Sequence, residues 1–419
     1  MSVPRATASG PSGKGDEPLT VVLLVNGRLV VCALLVLFVA QAYLRAYDPA
    51  FGWTRMIVFG GAYTAQSLPR LQKQPHFAET NQYGLYGYDG QFYAQLAIDP
   101  SLRDPDMARA LDMPAYRARR IGLPAAAFVL GAAKPRRVLT AYALANGLFW
   151  LVLLVAFCRL LRPRTRGALL CLAAGTLCTG VVASMARSLV DLPAAALLFA
   201  GLAAGARGGG PGWLAAAALT RETSLLAVAG LWDGRAPWRD GSWKRLLGIL
   251  AAATIPLGLW LIYVNAHLGH DTAAGVGNFG PPLQAMGRRF VEQVQRCVAI
   301  GGYPFWSNVL WGDWIFTHYI TFETVTLLAL FFQGLFLAVR PDWRSPCWRV
   351  GVCYLLLGTV LGPAVWDDTS AAARVLLPMT ICFYLQLAGE RRGWFWPFFI
   401  LGSLSWPHSL HSLWVAFTQ

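Results

Sequence analysis

Ten apolar runs alternate with polar stretches along the chain, at roughly 20–44, 138–158, 167–184, 189–206, 212–231, 246–264, 318–339, 349–366, 375–389 and 394–416. A helix of about 20 apolar residues spans a hydrocarbon core about 30 Å thick, so the runs predict membrane helices. The first run should remain as an anchor, because the polar residues 1–19 before it read as a flexible cytoplasmic N-terminus rather than a cleavable signal. Residues 20–419 then form a single transmembrane domain interrupted by two long polar stretches, 45–137 and 265–317. The run 121–133 is too short to cross and predicts a helix in the membrane interface. In the second stretch Phe290, Val294, Cys297 and Val298 share a helical face opposite Arg288, Glu292 and Gln295, which predicts another interfacial helix whose arginines have no functional part. Trp306, Trp311 and Trp314 read as interface anchors.

Composition agrees. Of 419 residues 56% are hydrophobic and 13% charged, and the mean hydropathy is +0.46. These values exclude an ordinary soluble domain and indicate a polytopic membrane protein. The net charge of +14 has no basic helix or aromatic RNA-binding motif beside it, so nucleic acid is not an expected partner. The eight cysteines form no CxxC pair and read as small buried hydrophobes. The six histidines are scattered and suggest no metal site.

Arginine placement sets the expected topology. Arg159, Arg162, Arg164, Arg166, Arg207, Arg235, Arg239, Lys244, Arg245, Arg340, Arg344, Arg349, Arg391 and Arg392 all flank apolar runs in short loops. They fall on one side, with the N-terminus, only if residues 212–231 enter and leave from that side as two half-helices meeting at Thr220–Thr223. The positive-inside rule makes that side cytoplasmic. The expected fold is therefore an all-α bundle of about 11 membrane segments, with 45–137 and 265–317 as large extracytoplasmic loops.

The most specific local pattern is Tyr86-Gly-Tyr-Asp-Gly-Gln-Phe-Tyr93 in the first loop. Asp89 stands between Gly87 and Gly90, which would let backbone approach a ligand, and among aromatic rings that suit a sugar face. A carboxylate so placed is a candidate general base. Asp48, nearer the first helix, and Asp104 are alternatives, although Asp99 and Asp104 neighbour prolines, where an acid more often marks a turn or helix cap. Further charges break the sidedness rule: Arg117, Arg119 and Arg120 in the loop, Arg187 and Asp191 at a short turn, Arg221 and Glu222 at the half-helix junction, and Asp367, Asp368 and Arg374 at another outer end. Each pair alone could simply tether helices. Three such sites on one face predict a shared, cation-lined, anion-binding cavity, because a charge at membrane depth costs about 2.5–3.5 kcal/mol unless it finds a polar partner. Glu222 is expected to orient Arg221. Arg117, Arg119 and Arg120 suit either a ligand phosphate or lipid head groups. Asp367 and Asp368 suit either a divalent cation or helix caps.

Taken together, these features resemble the GT-C superfamily of polytopic membrane glycosyltransferases, which includes the protein O-mannosyltransferases and aminoarabinose transferases. Tyr88-Asp-Gly-Gln-Phe-Tyr93 resembles the YDGQFYY block of bacterial members. The Arg187–Asp191 turn, Leu219-Thr-Arg-Glu-Thr-Ser-Leu-Leu226 and Ala373-Arg-Val-Leu-Leu-Pro378 resemble three further family elements. The resemblance implies transfer of a sugar from a polyprenyl-phosphate donor to a glycan, lipid or protein acceptor, on the extracytoplasmic face of a bacterial inner membrane. It makes Asp89 the base, and Tyr88, Gln91, Tyr93 and the charged residues above the substrate contacts. Asp89 departs from the family pattern by lying far down the loop instead of just after the first helix. A polysaccharide polymerase or ligase would share the donor chemistry. A lipid-linked sugar flippase would share the cationic cavity, but it usually carries an inverted repeat, which this chain lacks.

Overall fold

A computed structural model describes residues 17–81, 84–205, 208–232, 242–269, 275–300 and 314–416. Helices make up 72% of the structure. Among the described residues the strands are one parallel pair, Phe59–Gly60 beside Ala78–Glu79. Among the described residues five stretches are long and apolar enough to cross a membrane: Gly27–Arg45, Pro135–Leu161, Arg166–Ala186, Leu246–Leu268 and Phe322–Val339. Thr369–Val375 and Leu377–Leu387, bent by 63°, make a sixth if taken as one span. Shorter apolar helices cover Asp191–Ala204, Glu222–Leu231 and Pro346–Val360. The chain is predominantly helical, with five or six helices long and apolar enough to cross a membrane, as a helical membrane protein requires.

Several expected runs are broken. Residues 167–184 divide into Arg166–Thr176 and Thr179–Ala186, residues 349–366 into Pro346–Val360 and Pro363–Trp366, and residues 394–416 into Arg392–Gly402 and Trp406–Ala416. A break frees backbone carbonyls, which lipid cannot satisfy. At each break a neighbouring side chain donates to one of them. Trp150 Nε1 reaches Thr176 O at 2.8 Å, Trp366 Nε1 reaches Gly358 O at 3.2 Å, and Gln333 Nε2 reaches Gly402 O at 2.7 Å. Residues 212–231 break at the expected junction. Helix Gly210–Thr220 ends, Arg221 is extended, and a 3-10 turn runs over Glu222–Ala227. Tyr354 OH donates to the freed Thr223 O at 2.9 Å. At the far end of this segment the buried Arg349 donates to Ala229 O at 2.8 Å and also to Trp232 O. Arg340 pairs with Glu390 at 2.9 Å, so these loops lie together at one end of the bundle.

Residues 45–137 supply most of a second apolar core, which residues 138–145, Val190 and Val264 complete. Helix Gly90–Ile98 is wholly buried in it, against Gly122–Leu130 and the first half of Pro135–Leu161. Gly122–Leu130 buries Leu123, Pro124 and Ala127 and exposes Val129 and Leu130. The glycines flanking Asp89 approach backbone instead of a ligand. Gly87 has φ +61°, and a Cβ there would meet Gly60 N at 2.4 Å. A Cβ on Gly90 would meet Arg187 O at 2.3 Å and Ile57 O at 2.7 Å. Neither carbonyl can swing aside as a flexible side chain could. Gly90→Ala is therefore expected to cost about 1–3 kcal/mol, read as a lower thermal midpoint of the detergent-solubilised protein. An unchanged midpoint would show that this contact relaxes freely.

Helix Gln284–Ile300 is amphipathic, with Val291, Val294 and Val298 exposed. Its polar face, however, is not idle. Buried Arg289 and the more exposed Arg296 both pair with Glu323, a fully buried acid in helix Trp314–Val339. Arg288 pairs with Asp367 at 2.6 Å. These arginines dock the helix onto the bundle, a structural part that needs no catalytic one. Cys171, Cys178, Cys347 and Cys382 are buried, but Cys297 is exposed on this helix, and all eight cysteines are free. Trp306 and Trp311 lie outside the described residues.

Candidate active site

Asp89 immediately precedes helix Gly90–Ile98, yet its carboxylate does not cap that helix. It turns to Arg117, whose Nη2 donates to Asp89 Oδ1 at 2.8 Å. Arg117 also holds Asp112 through Nε at 2.8 Å and Nη2 at 2.7 Å, and its guanidinium lies 5.1 Å from the centre of the Phe92 ring. The Asp89 side chain keeps 35% of its surface exposed, although its partner keeps only 6%. Burial pushes the Asp89 carboxyl up, but the cations oppose it, Arg117 first and then Arg374 and Arg120. The net result is a carboxyl held below its ordinary range.

Asp89 opens on a cavity of about 260 Å³ lined by residues from distant parts of the chain. Arg120 grips Glu222 with two bonds, Nε to Oε2 at 3.1 Å and Nη2 to Oε1 at 2.9 Å. Its Nη1 donates to Tyr93 OH and its Nη2 to Tyr116 OH, both at 2.9 Å. Asn278 Nδ2 donates to the same Tyr116 oxygen at 3.1 Å. Asp191, the first residue of helix Asp191–Ala204, receives two arginines. Arg221 pairs with its Oδ1, and Arg374, in the last turn of Thr369–Val375, approaches Oδ2 at 3.4 Å. Arg374 Nη2 also donates to Tyr88 OH at 2.8 Å, and that hydroxyl donates in turn to Asp368 Oδ2 at 3.1 Å.

The cavity therefore gathers Tyr88, Asp89, Tyr93, Arg120, Asp191, Arg221 and Arg374, with Arg117 and Glu222 directly behind them. Four expectations are corrected. Glu222 serves Arg120 instead of Arg221, because the guanidinium fork of Arg120 matches its two oxygens. Gln91 is buried and structural, accepting from Gly60 N at 3.0 Å and donating to Tyr86 O at 2.8 Å. Arg119 lies 5.7 Å from the Tyr116 ring centre and does not line the cavity. The lining is not predominantly cationic: Arg120, Arg221 and Arg374 stand with Asp89, Asp191 and Asp368. The excess of positive charge is local, at Asp191, where two arginines share one carboxylate.

Arg187 faces elsewhere. It donates to Ser370 Oγ at 3.1 Å, lies 4.3 Å from the centre of the Tyr88 ring, and lines a separate cavity of about 630 Å³. Asp48 accepts from Ala50 N and Phe51 N, and Asp99 accepts from Ser101, Arg103 and Asp104 amides, so both shape turns. Asp368 caps its helix, accepting from Ser370 N at 2.8 Å. Tyr116, Asn278 and Asp112 were not expected at the site. Asp112, an acid five residues before Arg117, was the one with a readable local signal. Among the described residues no group of three or more His, Cys, Asp or Glu is placed to hold a metal ion.

No family model, curated protein or solved structure matches the chain. The site sets a carboxylate, Asp89, against a small polar chamber with a localised cationic excess at Asp191.

Proposed function

We propose that the protein transfers a sugar from a polyprenyl-phosphate donor to a cell-envelope acceptor, at the extracytoplasmic face of a bacterial inner membrane crossed by about 11 segments. The observation that carries this reading is the convergence of Asp89 with Arg221 and Arg374 on one chamber. A phosphate leaving group needs fixed positive charge more than a proton donor, and the two arginines that share Asp191 supply it. The acceptor hydroxyl gives its proton to Asp89 as its oxygen bonds to the anomeric carbon, and the bond from that carbon to the phosphate oxygen breaks. A low carboxyl pKa keeps Asp89 ionised and ready, at some loss of proton affinity.

An apolar groove of about 190 Å³ suits the isoprenoid tail. It is lined by Phe290, Phe331, Leu355, Trp366, Leu376 and Met379, among others. The short segment that carries Trp366 and Leu376 also carries Val365, Arg374 and Val375 of the chamber, so tail and phosphate would lie on neighbouring sides of it.

Lipid extraction of the purified full-length protein, read by mass spectrometry, tests the reading. A polyprenyl-phosphate sugar should co-purify, be reduced at least about tenfold by Arg221→Ala, and be retained within about twofold by Lys134→Ala, as expected for loss of a charge-assisted contact. Absence of any prenyl lipid from the unaltered protein would count against the donor. Equal losses in both variants would remove Arg221 from its binding.

A further inference from the structure

The larger cavity, of about 630 Å³, plays no part in the chemistry above. Its volume falls within the range of small-molecule sites, roughly 300–1,000 Å³. Two arginines line it, and each guanidinium is laid against an aromatic ring. Arg187 is 4.3 Å from the Tyr88 centroid and Arg55 is 4.4 Å from that of Phe77. At Arg187 the ring orients the guanidinium without taking up its N–H groups, so part of its N–H edge stays available to an anion. Among the described residues Arg187 makes no direct ion pair, although the Asp368 carboxylate lies near enough to feel its charge, and its side-chain hydrogen bond goes to a neutral hydroxyl, Ser370 Oγ at 3.1 Å. Among the described residues Glu79 is the one carboxylate in the lining, and it accepts from Asn81 Nδ2 at 2.7 Å.

The remaining polar lining suits a polyol. Ser370 and Ser412 present hydroxyls that can both donate and accept. Phe322, half-buried in the lining, adds an apolar surface of the kind that the C–H side of a sugar ring covers. The wall between the two chambers is thin. Tyr88 and Asp368 line the smaller one, while Arg187 and Ser370, in direct contact with them, line the larger.

We infer that the larger chamber binds an anionic saccharide, one carrying a carboxylate or a phosphate. On the transferase reading, on which this last step rests, that saccharide is the acceptor, held behind the Tyr88 wall with a hydroxyl directed toward Asp89. Arg187 fixes its anion and the serines its hydroxyls.

The test is equilibrium binding to the full-length protein in nanodiscs, without donor lipid, so that it does not depend on catalysis. The probes are a uronic-acid trisaccharide, a hexose 6-phosphate and a neutral glucose trisaccharide. At least one anionic probe should bind at least tenfold more tightly than the neutral one. If only one does, it names the anion. Arg187→Gln should abolish the preference, and Glu79→Gln, which removes negative charge from the lining, should strengthen it severalfold. These opposite signs distinguish a binding role from general damage to the fold. Equal binding of all three probes, no binding of any, or a preference that survives Arg187→Gln would overturn the inference. Loss of transfer in an Asp89 variant whose anionic binding persists would separate the fate of this site from that of the catalytic reading.

Discussion

Asp89→Asn is expected to abolish sugar transfer and leave a folded, membrane-inserted protein. The two side chains have nearly the same shape, and an amide oxygen can still accept the 2.8 Å bond from Arg117. Arg117 also keeps both of its bonds to Asp112, so no buried cation is stranded. What disappears is the capacity to take a proton, an effect worth roughly 10²–10⁴-fold in rate. The measurement is transfer in vesicles supplied with donor lipid, alongside the thermal midpoint of the same preparations. Transfer within threefold of the unaltered protein would take Asp89 out of the mechanism. The acid side of the pH profile follows from the same geometry. The folded pKa lies below the ordinary carboxylate value, so Asp89 stays ionised as pH falls to that value and protonates only beneath it. No acid limb from this group should appear above about pH 4.

Asp191→Ala should have the largest effect on stability. Its side chain is 2% exposed, and Arg221 and Arg374 on either side are 12% and 9% exposed. Removing the carboxylate leaves two nearly buried cations facing each other, and breaking a buried pair in this way costs about 3–5 kcal/mol. The prediction is a low yield of monodisperse protein and a lower thermal midpoint. The double variant Asp191→Ala with Arg374→Met removes one cation along with the carboxylate and should recover part of the loss. A single variant as stable as the unaltered protein, or a double variant worse than the single one, would contradict the pairing described.

What could be read from the chain, and what could not, follows from the physics of each signal. The break at Arg221, the loop acid Asp89 and the charge of Arg374 stood out because charge or polarity at membrane depth conflicts with its surroundings, whereas the 63° bend beside Arg374 did not. The breaks at Leu177–Cys178 and Ser403–Ser405 did not, because hydropathy reports transfer to lipid and says nothing of which carbonyl a distant Trp150 or Gln333 will satisfy. Glu323 was hidden for a related reason: one acid barely lowers the mean hydropathy of a long apolar run. Pairings were least legible. Glu222 lies 102 residues from Arg120, and Asp368 lies 280 from Tyr88; at such separations sequence spacing carries no geometry. The expected partnership of Glu222 with its neighbour Arg221 failed because adjacent residues in an irregular turn need not face the same way.

Arg349 has a consequence for ligand access. By taking up carbonyl oxygens at Ala229 and Trp232 it fastens the base of the interrupted segment, while Asp191 and Arg120 fasten its apex through Arg221 and Glu222. A rod clamped at both ends cannot slide along the membrane normal. Entry and exit of large ligands must then come from movement of the covering loops, and the depth at which Arg221 meets a phosphate should stay the same in thick and thin bilayers.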